Sequence, residues 1–558
     1  MRRVEYKWIV LANTTLGVLM SAINGSILLV SLPMVFRGLN INPATSSGET
    51  GMLLWILLSF NIATTVFLVA FGRLSDSYGR VRLYNLGFVI FTTGSILASF
   101  FPLAGIPGEI KLIIARFIQG IGGAFLFANS AAILTDAFPP EERGLALGLN
   151  QVAGIGGGAL GLVIGGLLSP FNWQMIFLVS VPFGILGSIW AYLMLKETSS
   201  PVGTKKIDVL GNLTFGLGLL GILLALTYGI LPYKGAQTGW GNPFVLAALI
   251  GGAALLLLFI PIENKVKDPM FNLKLFNIRA FAAGNAAGFL SSVARGGLQL
   301  LIILWLQGVW LPLHGVSFSL VPLRAGIDTL PQIAGFFIAG PASGWLSDKY
   351  GARWLGFMGM VTSAVGFMLL ARLPVDFGYW SFAADIFVVG IGQGLFAAPN
   401  TAAIMNSVPE KYRGAASGMR STLQNDGMAI SIGLFFTIVI TGLSYSLPTA
   451  INQALTENGI NGTAAQAISK ISPEALVFAS LIGYNPAKQT VPAEDLKNIA
   501  AGKRNAVSGD RFFPSVMAKP FSKSLEKAFW FSAILSALAA IFSLLRGKMY
   551  VWEKENKP

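Results

Sequence analysis

The sequence predicts an all-α membrane protein made of two related six-helix bundles with two further helices inserted between them, fourteen spans in all. Three observations carry that prediction. Of 558 residues, 54% are hydrophobic and 11% charged, whereas a soluble domain is about one-quarter charged. Apolar runs long enough to cross about 30 Å of hydrocarbon recur along the whole chain. The peptide Gly72-Arg73-Leu74-Ser75-Asp76-Ser77-Tyr78-Gly79 returns as Gly344-Trp345-Leu346-Ser347-Asp348-Lys349-Tyr350-Gly351, six of eight positions identical at an offset of 272. Duplication at this period marks a chain assembled from two copies of one helical unit.

Spans are expected at 8–35, 50–71, 84–103, 111–134, 144–168 and 174–195 in the first bundle, at 209–230 and 242–262 between the bundles, and at 279–306, 325–345, 354–372, 378–402, 414–442 and 527–546 in the second. Lipid offers no partner to open backbone, so runs of this length are helices. The first, from Trp8, is too long for a cleavable leader and is expected to stay in the mature chain. The repeated octapeptide places the same short hairpin loop after spans two and ten. Span four, Gly120-Ile121-Gly122 through Asn129 to Arg143, is echoed by span twelve, Gly390-Ile391-Gly392 through Asn400 to Arg413. The units are therefore 1–195 and 279–558, joined by 196–278 with its two spans, and 443–526 is a polar segment outside the membrane.

Basic residues orient the chain. Twenty-two lie in loops on the side of the termini and five in the short opposite loops, which puts both termini in the cytoplasm and 443–526 outside the cell. The net charge of +14 is thus a cytoplasmic fringe facing lipid headgroups, not a nucleic-acid surface. Without cysteine, and with His314 as the lone histidine, the chain has no disulfide, thiolate or common zinc chemistry. It also lacks a phosphate-binding loop and a nucleophile triad, so no cofactor and no enzyme activity are expected.

Four sets of residues resemble a known family: the loop Gly72 to Arg82, the run Arg116-Phe117-Ile118-Gln119-Gly120-Ile121-Gly122, the run Gly157 to Gly166, and Trp173 to Gly184. Over spans one to thirteen the chain resembles a fourteen-helix member of the major facilitator superfamily, close to the bacterial and archaeal drug:proton antiporters. The resemblance implies alternating access between two bundles, a small-molecule substrate, protons as the coupling ion, membrane lipids as surroundings and action as a monomer in the plasma membrane. It also implies a cytoplasmic gate at Gly72, Asp76, Gly79 and Arg80, with Gly344, Asp348 and Gly351 as its repeat. Glycines permit the tight turn, Asp76 is suited to cap a helix, and Arg80 is a basic clamp. Arg420, equivalent to Asn150 by an offset of 270, is a further gate candidate.

On span five, Gly157, Gly161, Gly165 and Gly166 fall near one helical face and are expected to pack against a neighbour. Here the family pattern has proline after its central glycine, and this chain has Leu162. In span one the family carries an acid where this chain has Asn24, and an amide cannot carry a proton.

Ionisable side chains at membrane depth are costly, and they line cavities or find partners. Arg116 is read as about five residues from the outer end of span four, where an arginine is able to snorkel to water. Arg295 is read in the outer half of span nine, Asp385 in the outer half of span twelve, and Asp426 near the midplane of span thirteen. The offset of 271 makes Asn24 and Arg295 equivalent. A central cavity lined by Asn24, Arg116, Gln119, Arg295, Asp385 and Asp426 is expected, its two arginines and two aspartates neutralising one another in one state, with protonation of Asp426 or Asp385 releasing its arginine partner and Asp426 the favoured proton site. Asp136, Glu141, Glu142 and Glu410 read as solvated loop charges. The functional expectation is proton-coupled export of small amphipathic molecules; the alternative is a uniporter, or a differently coupled transporter, of an anionic or lipid-like organic compound.

Overall fold

A computed structural model of the chain describes residues 5–40, 49–100, 104–139, 142–168, 171–197, 208–267, 269–409, 412–460, 468, 471–487 and 501–547. The first bundle comprises α1 (Tyr6–Gly38), α2 (Glu49–Tyr78), α3 (Arg80–Ser99), α4 (Gly105–Ala137), α5 (Arg143–Leu168) and α6 (Met175–Met194). Helices α7 (Val209–Gly229) and α8 (Pro243–Lys265) follow. The second bundle holds α9 (Arg279–Leu313), α10 (Leu330–Tyr350), α11 (Ala352–Ala371), α12 (Tyr379–Asn406), α13 (Arg413–Glu457) and α14 (Phe512–Leu545). A short helix, Val321–Asp328, leads into α10. Among the described residues twelve of these helices are long and apolar enough to cross a membrane; α2 and α10, of 30 and 21 residues, occupy the second and tenth expected places.

Packing repeats as the sequence does. In the first half α1 packs on α5, α2 and α3 on α4, and α3 on α6; in the second α9 packs on α13, α10 and α11 on α12, and α11 on α14. The reason is visible at paired glycines. A Cβ at Gly94 would stand 2.7 Å from the Gln119 amide nitrogen, and one at Gly366 would stand 2.9 Å from that of Val389. The pair α7 and α8 leans on α2 and α13, outside the two repeats.

Expected boundaries shift in three places. The loop after α2 shrinks to Gly79, and its repeat to Gly351; their φ angles of +104° and +79° suit glycine and let the next helix begin at once. Gly72 and Gly344 therefore sit inside helices, where an added Cβ would meet Ala128 at 3.7 Å and Ala398 at 3.8 Å. Second, α9 runs on through a π-helical turn, Leu306–Trp310. Third, α13 continues to Glu457 and α14 starts at Phe512, so much of 443–526 is helix that extends the bundle.

The halves meet on the side away from the start of α1 and the end of α14, here the distal side. Gln307 Nε2 of α9 donates to Val30 O of α1 at 3.0 Å. Gly166 of α5 abuts Leu323, and Gly326 abuts Leu162 O, both across the seam. A buried helix, Pro473–Leu481, lies over this seam. Phe478 packs edge-on to Phe36 of α1 and stacks with Phe436 of α13, while the Arg37 side chain donates to Ile482 O. Among the described residues, every hydrogen bond and ring contact joining the first bundle to the second bundle or its cap lies on this distal side.

Candidate functional site

In the first half the expected residues converge. Arg116 is 11 residues into α4 and 1% exposed, so the outward snorkel is excluded; α4 begins earlier than expected and carries the side chain deep. Its Nη1 donates to Asn24 Oδ1 of α1 and to Gln119 Oε1 at 3.1 Å, and its guanidinium lies 4.7 Å from the Phe60 ring centre. Gln119 Nε2 in turn donates to Ser95 Oγ of α3 at 2.8 Å. Among the described residues no carboxylate pairs with Arg116; amide oxygens and a ring face hold it instead.

In the second half Arg295 lies near the middle of the lengthened α9, not in its outer part. It opens on a cavity of about 10 Å³, lined also by Gln299 of α9, Gln332 of α10 and Gln393 of α12, with Phe367 and Leu370 of α11 as apolar wall. These three glutamines escaped the sequence reading, because a neutral amide in an apolar helix is conspicuous only once its face is known.

The four expected charges do not form one cluster in this structure. Arg295 Nη2 faces Met428 Sδ of α13 at 4.0 Å. Asp426, two residues before Met428 and so about 200° round the helix, is turned away from Arg295. It is 4% exposed, and among the described residues its Oδ1 has no hydrogen-bond partner. Gly433, two turns further on and on the same side of α13, abuts Leu226 of α7. Asp385 is half-buried in α12 and is not among the side chains lining the Arg295 cavity. Mutual neutralisation of two arginines by two aspartates is thus not the arrangement found; helical register separates them.

The glycines of α5 bring helices together. A Cβ at Gly157 would stand 2.7 Å from Leu19 O, one at Gly161 2.5 Å from Ile23 O and one at Gly165 2.6 Å from Ile27 O, all on α1. Gly166 instead faces Leu323 of the second half.

This doubled bundle with polar groups sunk between its helices matches known proteins. The family model of the Major Facilitator Superfamily matches residues 14–301 and 210–432. The chain belongs to the major facilitator superfamily. Its relatives include a riboflavin transporter of Clostridioides difficile, 30% identical over 79% of this chain and 90% of that one. Multidrug resistance protein 3 of Bacillus subtilis is 28% identical over 78% and 80%, and a probable actinorhodin transporter of Streptomyces coelicolor 25% identical over 96% and 91%. The likeness to drug:proton antiporters read from α4 and α5 agrees with the multidrug-resistance relatives. Among solved structures, a bacterial homologue of the human lysosomal transporter Spinster superposes with a TM-score of 0.54 at 16% identity, covering 98% of this chain and 97% of that one, which bears on the fold alone.

On the terminal side of this superfamily fold, Arg80 Nη1 bonds both carboxylate oxygens of Asp136 at 2.8 and 2.7 Å. Asp136 is thus a partner in the last turn of α4, not a plain loop charge, and Glu142 likewise accepts from Lys7 at 2.8 Å. The N-terminus of α3 is capped by Glu197, which accepts from the backbone of Arg80 and Val81 at 3.0 Å, the role expected of Asp76. The side chains of Asp76 and Asp348 lie outside the described residues, as do Glu141 and Glu410. Arg420 is 8% exposed and donates to Gln424 at 2.9 Å and Thr401 at 3.4 Å, within its own half.

Proposed function

We propose that this transporter exports small amphipathic molecules across the plasma membrane by alternating access, in exchange for protons, with the terminal side in the cytoplasm. The observation that carries the reading is the one-sided seam: two repeated bundles joined distally, around ionisable groups buried at mid-depth. Such a seam belongs to a form closed to the outside, and rocking of the bundles opens it. Multidrug-resistance relatives support export. Asp426 is proposed as the proton carrier, because Asn24 has no proton to give and Asp426 is a buried acid with an unpartnered oxygen on a helix packed across α2 and α7. Gaining or losing its proton changes a charge where charge is costly, and so biases the two states. Arg116 with Asn24 and Gln119, Arg295, and Asp385 are proposed as cavity groups. Gly72, Asp76, Gly79, Arg80, Gly344, Asp348, Gly351 and Arg420 are proposed as the cytoplasmic hinge and gate.

The test uses purified protein in vesicles with an imposed pH gradient and 8-anilinonaphthalene-1-sulfonate, an amphipathic oxyanion, as probe. Asp426→Asn is expected to abolish gradient-driven accumulation while leaving gradient-free exchange; undiminished accumulation removes Asp426 from coupling. A second reading, an uncoupled or differently coupled carrier of an anionic or lipid-like compound, is favoured by Asn24 in place of an acid, and it predicts indifference to the gradient in the unsubstituted protein.

A further inference from the structure

The cavity of the second half has a chemistry that neither the fold nor the relatives' names assign. Four polar side chains from three helices converge on it: Arg295 and Gln299 from α9, Gln332 from α10 and Gln393 from α12. Among the described residues none of the three glutamine amides makes a side-chain hydrogen bond, and the hydrogen-bond contact of the Arg295 guanidinium is a long one, to the Met428 sulfur at 4.0 Å. Register brings these donors together. The Gln332 backbone is clamped against Gly390, where any side chain would collide with Gln332 O. Gln299 follows Arg295 by four residues, which stacks the two on one face of α9.

The inventory selects a ligand. One guanidinium offers five N–H groups, and three primary amides add six donors and three acceptors. Among the described residues no carboxylate lines the space, so a cation finds no counter-charge there, whereas an oxyanion finds a fork-shaped partner flanked by amide donors. The wall opposite, Phe367 and Leu370 among others, is apolar and suits the carbon skeleton next to such a head. At about 10 Å³ the cavity admits one water in this form. A single carboxylate oxygen fits this space, with the rest of the molecule directed outward toward Met428, which is 37% exposed.

The geometry points to a head-group subsite for amphipathic carboxylates, formed by Arg295, Gln299, Gln332 and Gln393 within the second bundle. It deepens the transport reading by naming the substrate class, and it rests on that reading only for the claim that the bound molecule is then moved. In the first half the buried Arg116 is arranged otherwise: its Nη1 donates to Asn24 and Gln119, its Nε has no partner among the described residues, and the side chain lies sealed. Arg295 thus opens on a cavity, whereas Arg116 is enclosed by amides and a ring.

Binding to the purified full chain in detergent, at constant pH and with no gradient, tests it with three matched probes: 1-pyrenebutyrate, 1-pyrenebutanol and a 1-pyrenebutyl trimethylammonium salt. The carboxylate is expected to bind at least about tenfold more tightly than the cation. Arg295→Gln is expected to erase that preference, and Gln332→Leu with Gln393→Leu to weaken the carboxylate and the alcohol together by several-fold. Gln299→Glu, which keeps size and polarity, is expected to turn the preference toward the cation, and this guards against loss by misfolding, as does an unchanged thermal unfolding midpoint for each variant. Equal affinity for carboxylate and cation in the unsubstituted chain, or a preference untouched by Arg295→Gln and Gln299→Glu, overturns the subsite. Because no gradient is applied, failure of proton coupling leaves this result standing, and failure of the subsite leaves coupling to be judged by Asp426.

Discussion

At the scale of single residues, what distinguishes this chain is how it houses positive charge. Arg116 is fully enclosed, and its Nη1 depends on two amide oxygens, from Asn24 and Gln119. Asn24→Ala removes one acceptor from a donor that cannot reach water, a change worth about 1–3 kcal/mol. A lower thermal unfolding midpoint is expected, with Asn24→Asp restoring it, since a carboxylate accepts the same bond with opposite charge; equal midpoints for Ala and the parent would show Asn24 to be idle. Glycine contacts allow a second forecast. Gly161→Val drives a side chain into the α1 backbone, whereas Gly25 has nothing within 4 Å of an added Cβ. Overpacking of this kind costs about 1–3 kcal/mol or more, so the valine variant should lose folded yield while Gly25→Ala does not. Arg116 and these glycines were legible in the sequence because charge in an apolar run and glycine at helical spacing stand out from their surroundings. Gln299, Gln332 and Gln393 were not, since their meeting depends on the rotation of three helices. The same holds for Asp426, whose acidity was legible and whose facing was not.

At the scale of elements, the extension of α13 and α14 and the helix Pro473–Leu481 turn a polar segment into part of the distal closure. Composition rich in Asn, Thr and Lys marked 443–526 as non-membrane, and nothing in that composition revealed Phe478 as the residue that reaches α1 and α13 together. Glu474, in the first turn of this helix, is fully buried; burial pushes its carboxyl up from 4.5 to about 7, against a smaller opposing pull from Ser472. The charged groups around the cap are Arg37, which donates to Ile482 O, and Asp510 and Arg511 ahead of α14; among the described residues none pairs with Glu474. The direction follows from linkage. Below about 4.5 the carboxyl is neutral docked or undocked, so docking is at full strength. Between about 4.5 and 7 only the docked form keeps the proton, so docking weakens as pH rises, and above that range it stays at its weakest. Hydrogen exchange in the peptide containing Phe478, corrected for intrinsic rates, should therefore be slower at pH 5 than at pH 8. Glu474→Gln should hold the slow rate at both; equal protection in the parent at the two values would contradict the assignment.

At the scale of the whole molecule, duplication does what neither half does alone. Each bundle is a closed packing unit whose helix pairs correspond across an offset of about 271 residues, so the seam between them is the place where relative motion disturbs the fewest contacts. That much was legible, because repeated octapeptides and paired glycines are one-dimensional records of a repeated fold. Which side of the seam is shut was not, since the residues that close it, Val30, Leu162, Gly166, Ile303 and Gln307, are ordinary members of apolar helices. The absence of cysteine offers a direct test of the seam's role, because a pair introduced into the native chain has no competitor. Val30→Cys with Gln307→Cys places thiols on α1 and α9 where the Gln307 side chain now reaches Val30 O, a span that a short bis-methanethiosulfonate cross-linker closes. If opening of this seam is part of the cycle, cross-linking should stop transport of 8-anilinonaphthalene-1-sulfonate in vesicles nearly completely, and reduction of the linker should restore it, with the single variants active throughout. The helix ends of the terminal side supply the counterpart. Spin labels at Ala137→Cys of α4 and Asn406→Cys of α12 should give a distance distribution that stays at its long-distance component when the distal bridge is closed, and that gains a shorter component when it is reduced. Full transport with the bridge intact would mean that the distal seam is static, and that substrate leaves by another route.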